Sequence, residues 1–211
     1  MLDRWLGPVS RETFVAEHLQ RAPLAQPGTV DSSVLDWPLL ERVLQNDPDT
    51  LVVAGGKLLP FPPPRELVEV RAYFRMGIGL AMRQTCRCTP ETRAIADAFR
   101  WIGPSHVQMF ITPANTHGFG WHYDDEDVFI AQTTGVKDYF FRPNTVTDAP
   151  AHADQFVRFT DETSPIYSAT LHGGDFLYIP ARWWHMAKCR EDALSVSVGV
   201  FTDRRLLAIS P

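Results

Sequence analysis

From about residue 105 the chain consists of short runs of β-branched and aromatic residues cut by glycine and proline. That texture leaves few folds open. His106 to Thr112 is one run. Asp127 to Gln132, the turn Thr133-Thr134-Gly135 and Val136 to Arg142 predict a hairpin. Tyr167 to Leu171 leads to Gly173-Gly174-Asp175, and Phe176-Leu177-Tyr178-Ile179-Pro180 follows. Leu194 to Phe201 alternates small and apolar residues, as a strand with an inward and an outward face must. Many short strands with turn punctuation form a sandwich or a small barrel.

The first hundred residues read differently, as helical signals between prolines. Ser10 is placed to cap a helix through Phe14, Val15, His18 and Leu19. Leu39, Leu40, Val43 and Leu44 repeat at helical spacing and stop at Asn46-Asp47-Pro48. Thr89-Pro90-Glu91 supplies a capping hydroxyl, a proline at the first helical position and an acid in the first turn, so a helix is expected to about Trp101. Leu51 to Leu59 reads as a hairpin about Gly55-Gly56, and Phe61-Pro62-Pro63-Pro64 as a stiff connector. The 211 residues suffice for one packed domain and fall short of two. The expectation is a single unit over 1–211, with a mostly helical part (1–104) packed on a β core (105–202).

A net charge of −5 argues against a nucleic-acid partner, although arginines between Arg65 and Arg100 make the middle locally basic. Cys86, Cys88 and Cys189 cannot form a disulfide framework, and an odd count fits a reducing compartment. The N-terminus lacks the apolar core of a signal peptide, and no window has the apolar length of a membrane span. A cytoplasmic protein with no membrane partner is the expectation.

The chemistry concentrates in His122-Tyr123-Asp124 and in His185, which follows Ile179-Pro180-Ala181-Arg182-Trp183-Trp184. Residues at i and i+2 on a strand share a face, so His122 and Asp124 can hold one metal together. A third ligand from a distant strand completes two histidines and a carboxylate on one side of the ion, the facial arrangement of non-haem Fe(II) oxygenases. His18, His106, His117, His152 and His172 lack such surroundings and read as ordinary hydrogen-bonded residues. Trp183 has the parity of His185 and is a candidate pocket residue, flanked by Trp121 and Trp184; the alternative for all three is an ordinary place in the core. Asp125, Glu126 and Asp127 read as a solvated turn or as a rim attracting a basic peptide.

The stretch from His122 to Lys137 resembles the core of the JmjC/cupin-type 2-oxoglutarate oxygenases, especially their ribosomal-oxygenase branch. Gly174 to Pro180 with His185 is similar to that family's second metal motif, and Ser195 to Gly199 to its closing strand. The similarity runs over roughly residues 105 to 202 and implies a double-stranded β-helix, the jelly-roll or cupin barrel. It implies His122, Asp124 and His185 as Fe(II) ligands and Lys137 as the partner of the distal carboxylate of 2-oxoglutarate. An inward lysine in a barrel is itself costly unless an anion meets it. Ser195 and Ser197 share a face and are candidate donors to the same carboxylate.

The implied reaction consumes 2-oxoglutarate and O2, releases succinate and CO2, and hydroxylates a C–H bond, first of all on a protein or peptide side chain. Three alternatives stay open: a hydroxylase of small molecules or amino acids, an N-methyl demethylase of the same chemistry, and a metal-binding cupin that does not use 2-oxoglutarate. The ribosomal branch continues into a helical dimerisation region and a winged-helix-like module, whereas only Thr202 to Pro211 follow the last expected strand here. Dimerisation and ribosomal-protein recognition are therefore not carried over from the resemblance, and a homodimer stays open.

Overall fold

The computed structural model describes residues 1–149, 151, 159–203 and 205; His152 lies outside them. The chain begins with two short helical turns, α1 (Leu2–Trp5) and α2 (Arg11–Thr13), the second running into a wider π-turn over Phe14–His18. Ser10 starts it as expected, its hydroxyl accepting from the Thr13 amide at 3.1 Å. β1 (Leu24–Gln26) precedes α3 (Trp37–Leu44), which Asp36 caps through the Leu39 amide. The glycine hairpin is β2 (Asp49–Ala54) with β3 (Lys57–Leu58). α4 (Leu67–Arg75), β4 (Gly79–Arg83) and α5 (Pro90–Phe99) follow, the last capped by Thr89 on the Thr92 amide. The second half holds β5 (Ser105–Thr112), β6 (Asp127–Thr134), β7 (Lys137–Arg142), β8 (Tyr167–Leu171), β9 (Phe176–Ile179), β10 (Trp184–Cys189) and β11 (Ala193–Val200).

These strands form a large sheet in the order β1-β9-β6-β11-β5-β4-β2-β3 and a small one, β10-β7-β8, every pairing antiparallel. The large sheet is two-faced. Leu194, Val196, Val198 and Val200 of β11 and Val107, Met109 and Ile111 of β5 turn outward, where Trp5, Phe14, Leu39, Leu40 and Phe99 cover them. Val128 and Ile130 of β6 and Leu177 and Ile179 of β9 turn inward and meet Tyr139 and Phe141 from the small sheet. The result is the expected jelly-roll barrel with a helical layer on one side. Among the described residues no helix is long and apolar enough to cross a membrane.

Three local expectations fail, each for a physical reason. β6 and β7 are not a hairpin: β6 pairs with β9 and β11, while β7 pairs with β8 and β10. Gly135, at φ +72°, carries the chain from one sheet to the other, and a Cβ there would lie 2.3 Å from the Asp192 carbonyl oxygen. Crossing over brings Tyr139 and Phe141 onto Val128 and Ile130, which a simple hairpin would leave uncovered. Beside the expected Gly55-Gly56 hairpin, the first 104 residues supply two strands not read in the sequence, β1 and β4. Of these, β4 sits between β2 and β5 and was hidden because Gly79-Leu80-Ala81-Met82 is short and does not alternate. Finally, Asp127 belongs to no solvated turn. It is fully buried, and its carboxylate accepts from the Tyr178 hydroxyl, the Ala181 amide, the Gln20 side-chain amide and the Thr202 hydroxyl.

Asp127 thereby ties the N-terminal segment, β9, the corner after it and the end of β11 to the start of β6. Asp127→Ala would orphan four donors, each costing about 1–3 kcal/mol if left unsatisfied. The expected outcome is a urea unfolding midpoint lowered by the equivalent of about 3 kcal/mol or more.

Candidate metal centre

His122 and Asp124 share a face, but not through a regular strand. His122 makes a single antiparallel bridge with His185, its amide donating to the His185 carbonyl at 3.1 Å and its carbonyl accepting from the His185 amide at 2.7 Å. Around that bridge the two ligand-bearing segments are tied repeatedly. The Arg182 amide donates to the Asp124 carbonyl at 2.7 Å, and the Arg182 guanidinium donates to Asp125 at 2.9 Å. The Ala181 amide reaches the Asp127 carboxylate at 3.1 Å. Arg182 adopts φ +65°, a left-handed conformation rare for a side-chain-bearing residue, as the chain turns from the Pro180 corner into β10.

The ligand atoms of His122, Asp124 and His185 all lie within 4.8 Å of one another. Both imidazoles are aimed by their own backbone: His122 Nδ1 lies 2.8 Å from the Gly120 carbonyl and His185 Nδ1 3.0 Å from that of Trp183. A carbonyl only accepts, so each Nδ1 carries hydrogen and each Nε2 is left for a metal. Burial and the neighbouring His185 hold the His122 pKa down to about 4, so this ring is neutral. Burial would raise Asp124, but the bond to His185 and the nearby imidazoles bring it to about 2, leaving it ionised. Burial opposes charge on His185 as well, yet the Asp124 carboxylate, 3.5 Å from its Nε2, raises its pKa above the ordinary value. One carboxylate, one neutral imidazole and one imidazole whose proton a cation can displace suit a divalent first-row metal.

The triad opens into a cavity of about 100 Å³ between the sheets, lined on the large-sheet side by Gln108, Phe110, Thr112, Val128, Ile130, Ser195 and Ser197. On the small sheet the register runs His185 opposite Phe141, Ala187 opposite Tyr139 and Cys189 opposite Lys137. Lys137 therefore sits two inward steps beyond the metal ligand. It is buried, burial lowers its pKa, and its ammonium donates to the Ser195 hydroxyl at 3.0 Å. No carboxylate pairs with it among the described residues. Ser197 lies one step along β11, on the same wall. All six residues singled out in the sequence thus line one cavity.

Other groups were missed. Tyr139 shares the inward face of β7 with Lys137 and bonds the same Ser195 side chain; simple alternation from Lys137 would have found it. Phe119 stands beside His122 with ring centroids 5.8 Å apart, on a loop without strand periodicity. Glu126, read as a rim or a solvated turn, is buried and lines the cavity. Of the two readings of the tryptophans, the pocket one fails, and burial in the core holds for Trp184. β10 begins only at Trp184, so parity does not extend back to Trp183, which lies beside Tyr167 instead. Trp184 packs edge-on to Tyr123 and donates to Glu162, and Trp121 stacks on Phe159 at 4.6 Å; none of the three lines the cavity.

Comparison with known proteins agrees with this geometry. Residues 81–206 match the JmjC domain. Ribosomal oxygenase 1 of Gallus gallus is 33% identical over 223 residues, covering 97% of this chain and 37% of that protein. The bifunctional lysine-specific demethylase and histidyl-hydroxylase NO66 of Dictyostelium discoideum is 36% identical over 100 residues, 46% of this chain and 19% of the relative. The structure of YcfD, a ribosomal oxygenase from Escherichia coli in complex with cobalt and 2-oxoglutarate, superimposes with a TM-score of 0.62 at 22% identity, covering 92% of this chain and 53% of that one. The chain thus spans well under half of these curated relatives and about half of that structure.

Because the Asp124 carboxylate raises the His185 pKa while those of His122 and Asp124 are held low, His185 is the ligand for which a proton first competes, and metal affinity is expected to fall as pH drops below its raised pKa. The loss is about tenfold per pH unit, as for competition by one proton. Cobalt(II) titration followed by visible absorption at several pH values measures this; a flat profile would contradict the assignment of that proton.

Proposed function

We propose that this chain, which belongs to the JmjC domain family, is the catalytic unit of an Fe(II)- and 2-oxoglutarate-dependent oxygenase that hydroxylates a C–H bond on a protein or peptide side chain. The observation that carries the proposal is Lys137, a buried cation without a carboxylate partner among the described residues, at the far end of a cavity that begins at the His122, Asp124 and His185 triad. A dicarboxylic co-substrate bridges the two ends: its oxo acid belongs at the metal, its distal carboxylate at Lys137.

When bound, the iron and the 2-oxo acid activate O2, the co-substrate leaving as succinate and CO2. The chain's own residues supply the rest. His122 and His185 present Nε2 and Asp124 a carboxylate oxygen, on one side of the ion. Lys137 and the Ser195 hydroxyl orient the distal carboxylate, with Ser197 and Tyr139 beside them. Phe110, Val128 and Ile130 exclude water from the wall along which the reaction proceeds. A protein substrate is favoured by the relatives, whose names describe ribosomal oxygenases and a histidyl-hydroxylase.

The deciding experiment is anaerobic addition of 2-oxoglutarate to Fe(II)-loaded protein, followed by admission of O2. A weak visible charge-transfer band and then slow succinate release are expected; no band and no succinate from metal-loaded protein would leave a cupin that does not use 2-oxoglutarate. Lys137→Ala should keep the metal and weaken 2-oxoglutarate binding roughly 30-fold or more, since truncating one partner of a buried charge pair costs about 2–5 kcal/mol. Asp124→Ala should lose Fe(II) itself, read as iron retained after desalting.

A further inference from the structure

A second cavity lies in the helical layer, apart from the metal centre. It holds about 170 Å³, against about 100 Å³ at the triad, and the two share no lining residue. Its walls come from three elements: Trp37 at the start of α3, one face of α4, and Asp192 in the turn between β10 and β11. Leu67, Val70, Arg71 and Phe74 recur at the spacing of a single helix face, so the arginine belongs to the same wall as the three apolar residues. Val70 is buried, whereas Trp37, Leu67 and Phe74 are only half-buried, the rings of Trp37 and Phe74 meeting edge-on at 6.0 Å. Part of their apolar surface is thus turned to this space.

Both charged residues of the lining lack a counter-charge. Arg71 is exposed, and its guanidinium makes no ion pair or hydrogen bond among the described residues. By contrast, Arg42 of α3 pairs with Glu91, and Arg65, just before α4, pairs with Asp47. Asp192 is held in place by the Ala114 amide, which donates to its Oδ1 at 2.8 Å, but no cation pairs with it among the described residues. Nor do Arg71 and Asp192 pair with each other, although both line the one space. An apolar hollow with a cation on one wall and an anion on another has the pattern of a ligand that is apolar in body and dipolar at one end.

We propose that this cavity binds a free α-amino acid with an aromatic or branched apolar side chain. The side chain enters between Trp37, Leu67, Val70 and Phe74, the carboxylate meets Arg71 and the ammonium meets Asp192. The size fits: an apolar cavity of about 150 Å³ is enough to hold benzene, so 170 Å³ accommodates one phenyl ring or one leucine side chain. Burial of that side chain supplies affinity, and the two charged contacts choose the ligand, because charge-assisted hydrogen bonds are roughly twice as strong as neutral ones. A residue inside a polypeptide carries amides in place of both charges and would leave Arg71 and Asp192 as they are.

The test is calorimetric titration of the full metal-loaded chain with L-phenylalanine and L-leucine. Three controls each remove one feature: N-acetyl-L-phenylalanine lacks the ammonium, L-phenylalanine amide lacks the carboxylate, and L-alanine lacks the apolar body. At least one of the two amino acids should bind with a dissociation constant of about 1 mM or below. Each control should bind about tenfold or more weakly, the scale of one charge-assisted hydrogen bond. Arg71→Gln should erase the distinction between phenylalanine and its amide. Asp192→Asn, which keeps an oxygen for the Ala114 amide, should erase the distinction between phenylalanine and its N-acetyl form. Both positions are exposed, and an unchanged thermal midpoint without ligand shows that the variants fold. No binding of either amino acid, or binding unaltered in R71Q and D192N, overturns the proposal. Equal binding of the blocked forms also overturns it and would give the cavity to an apolar side chain of a partner protein instead.

Discussion

The centre of this molecule depends on two irregular segments being fastened face to face. Residues 122–127 and 180–185 form no extended ladder, yet they share the His122–His185 bridge, the bond from the Arg182 amide to Asp124, and the Arg182 and Ala181 contacts to Asp125 and Asp127. Each bond is of ordinary strength, worth about 0.5–1.5 kcal/mol net for a neutral pair. Together they hold three ligand atoms within 4.8 Å of one another. Asp127 anchors that clasp to the rest of the fold, because its oxygens also hold Gln20 and Thr202 from the chain's outer layer.

Around the clasp, the barrel solves a conflict between packing and chemistry by dividing each strand's two faces. On β11 the outward residues are large and apolar and pack under the helices, while the inward ones are serine, serine and glycine. Small inward residues let the cavity exist, and the outward valines and leucine return the burial that the cavity forfeits. The same division on β7 places Lys137, Tyr139 and Phe141 inside, so one strand supplies both a buried cation and part of the apolar wall.

Much of this was legible in the chain. The caps at Ser10 and Thr89, the Gly55-Gly56 hairpin and the strand runs after residue 105 follow from local chemistry and period, and the spacing of His122, Asp124 and His185 together with the family resemblance pointed to six of the cavity residues. The parts that were not legible depend on distant partners. Nothing local distinguishes a Gly135 turn that closes a hairpin from one that changes sheets; the difference lies at Asp192. The run Asp125-Glu126-Asp127 looks uniformly solvated because charge predicts exposure, yet only Asp125 is exposed. The burial of the other two rests on donors as far away as Gln20, His106 and Thr202. Parity failed at Trp183 because it was extended past the end of the strand that justifies it.

The absence of a side chain at residue 199 has a consequence for reading related sequences. Close packing leaves no slack at that point, since even one added carbon would meet a carboxylate oxygen at 2.2 Å. A relative carrying any side chain at the position of Gly199 must place something shorter than glutamate at the position of Glu126, or turn it elsewhere. Residues 126 and 199 therefore form one steric unit, in which the size of either side chain sets the room left for the other.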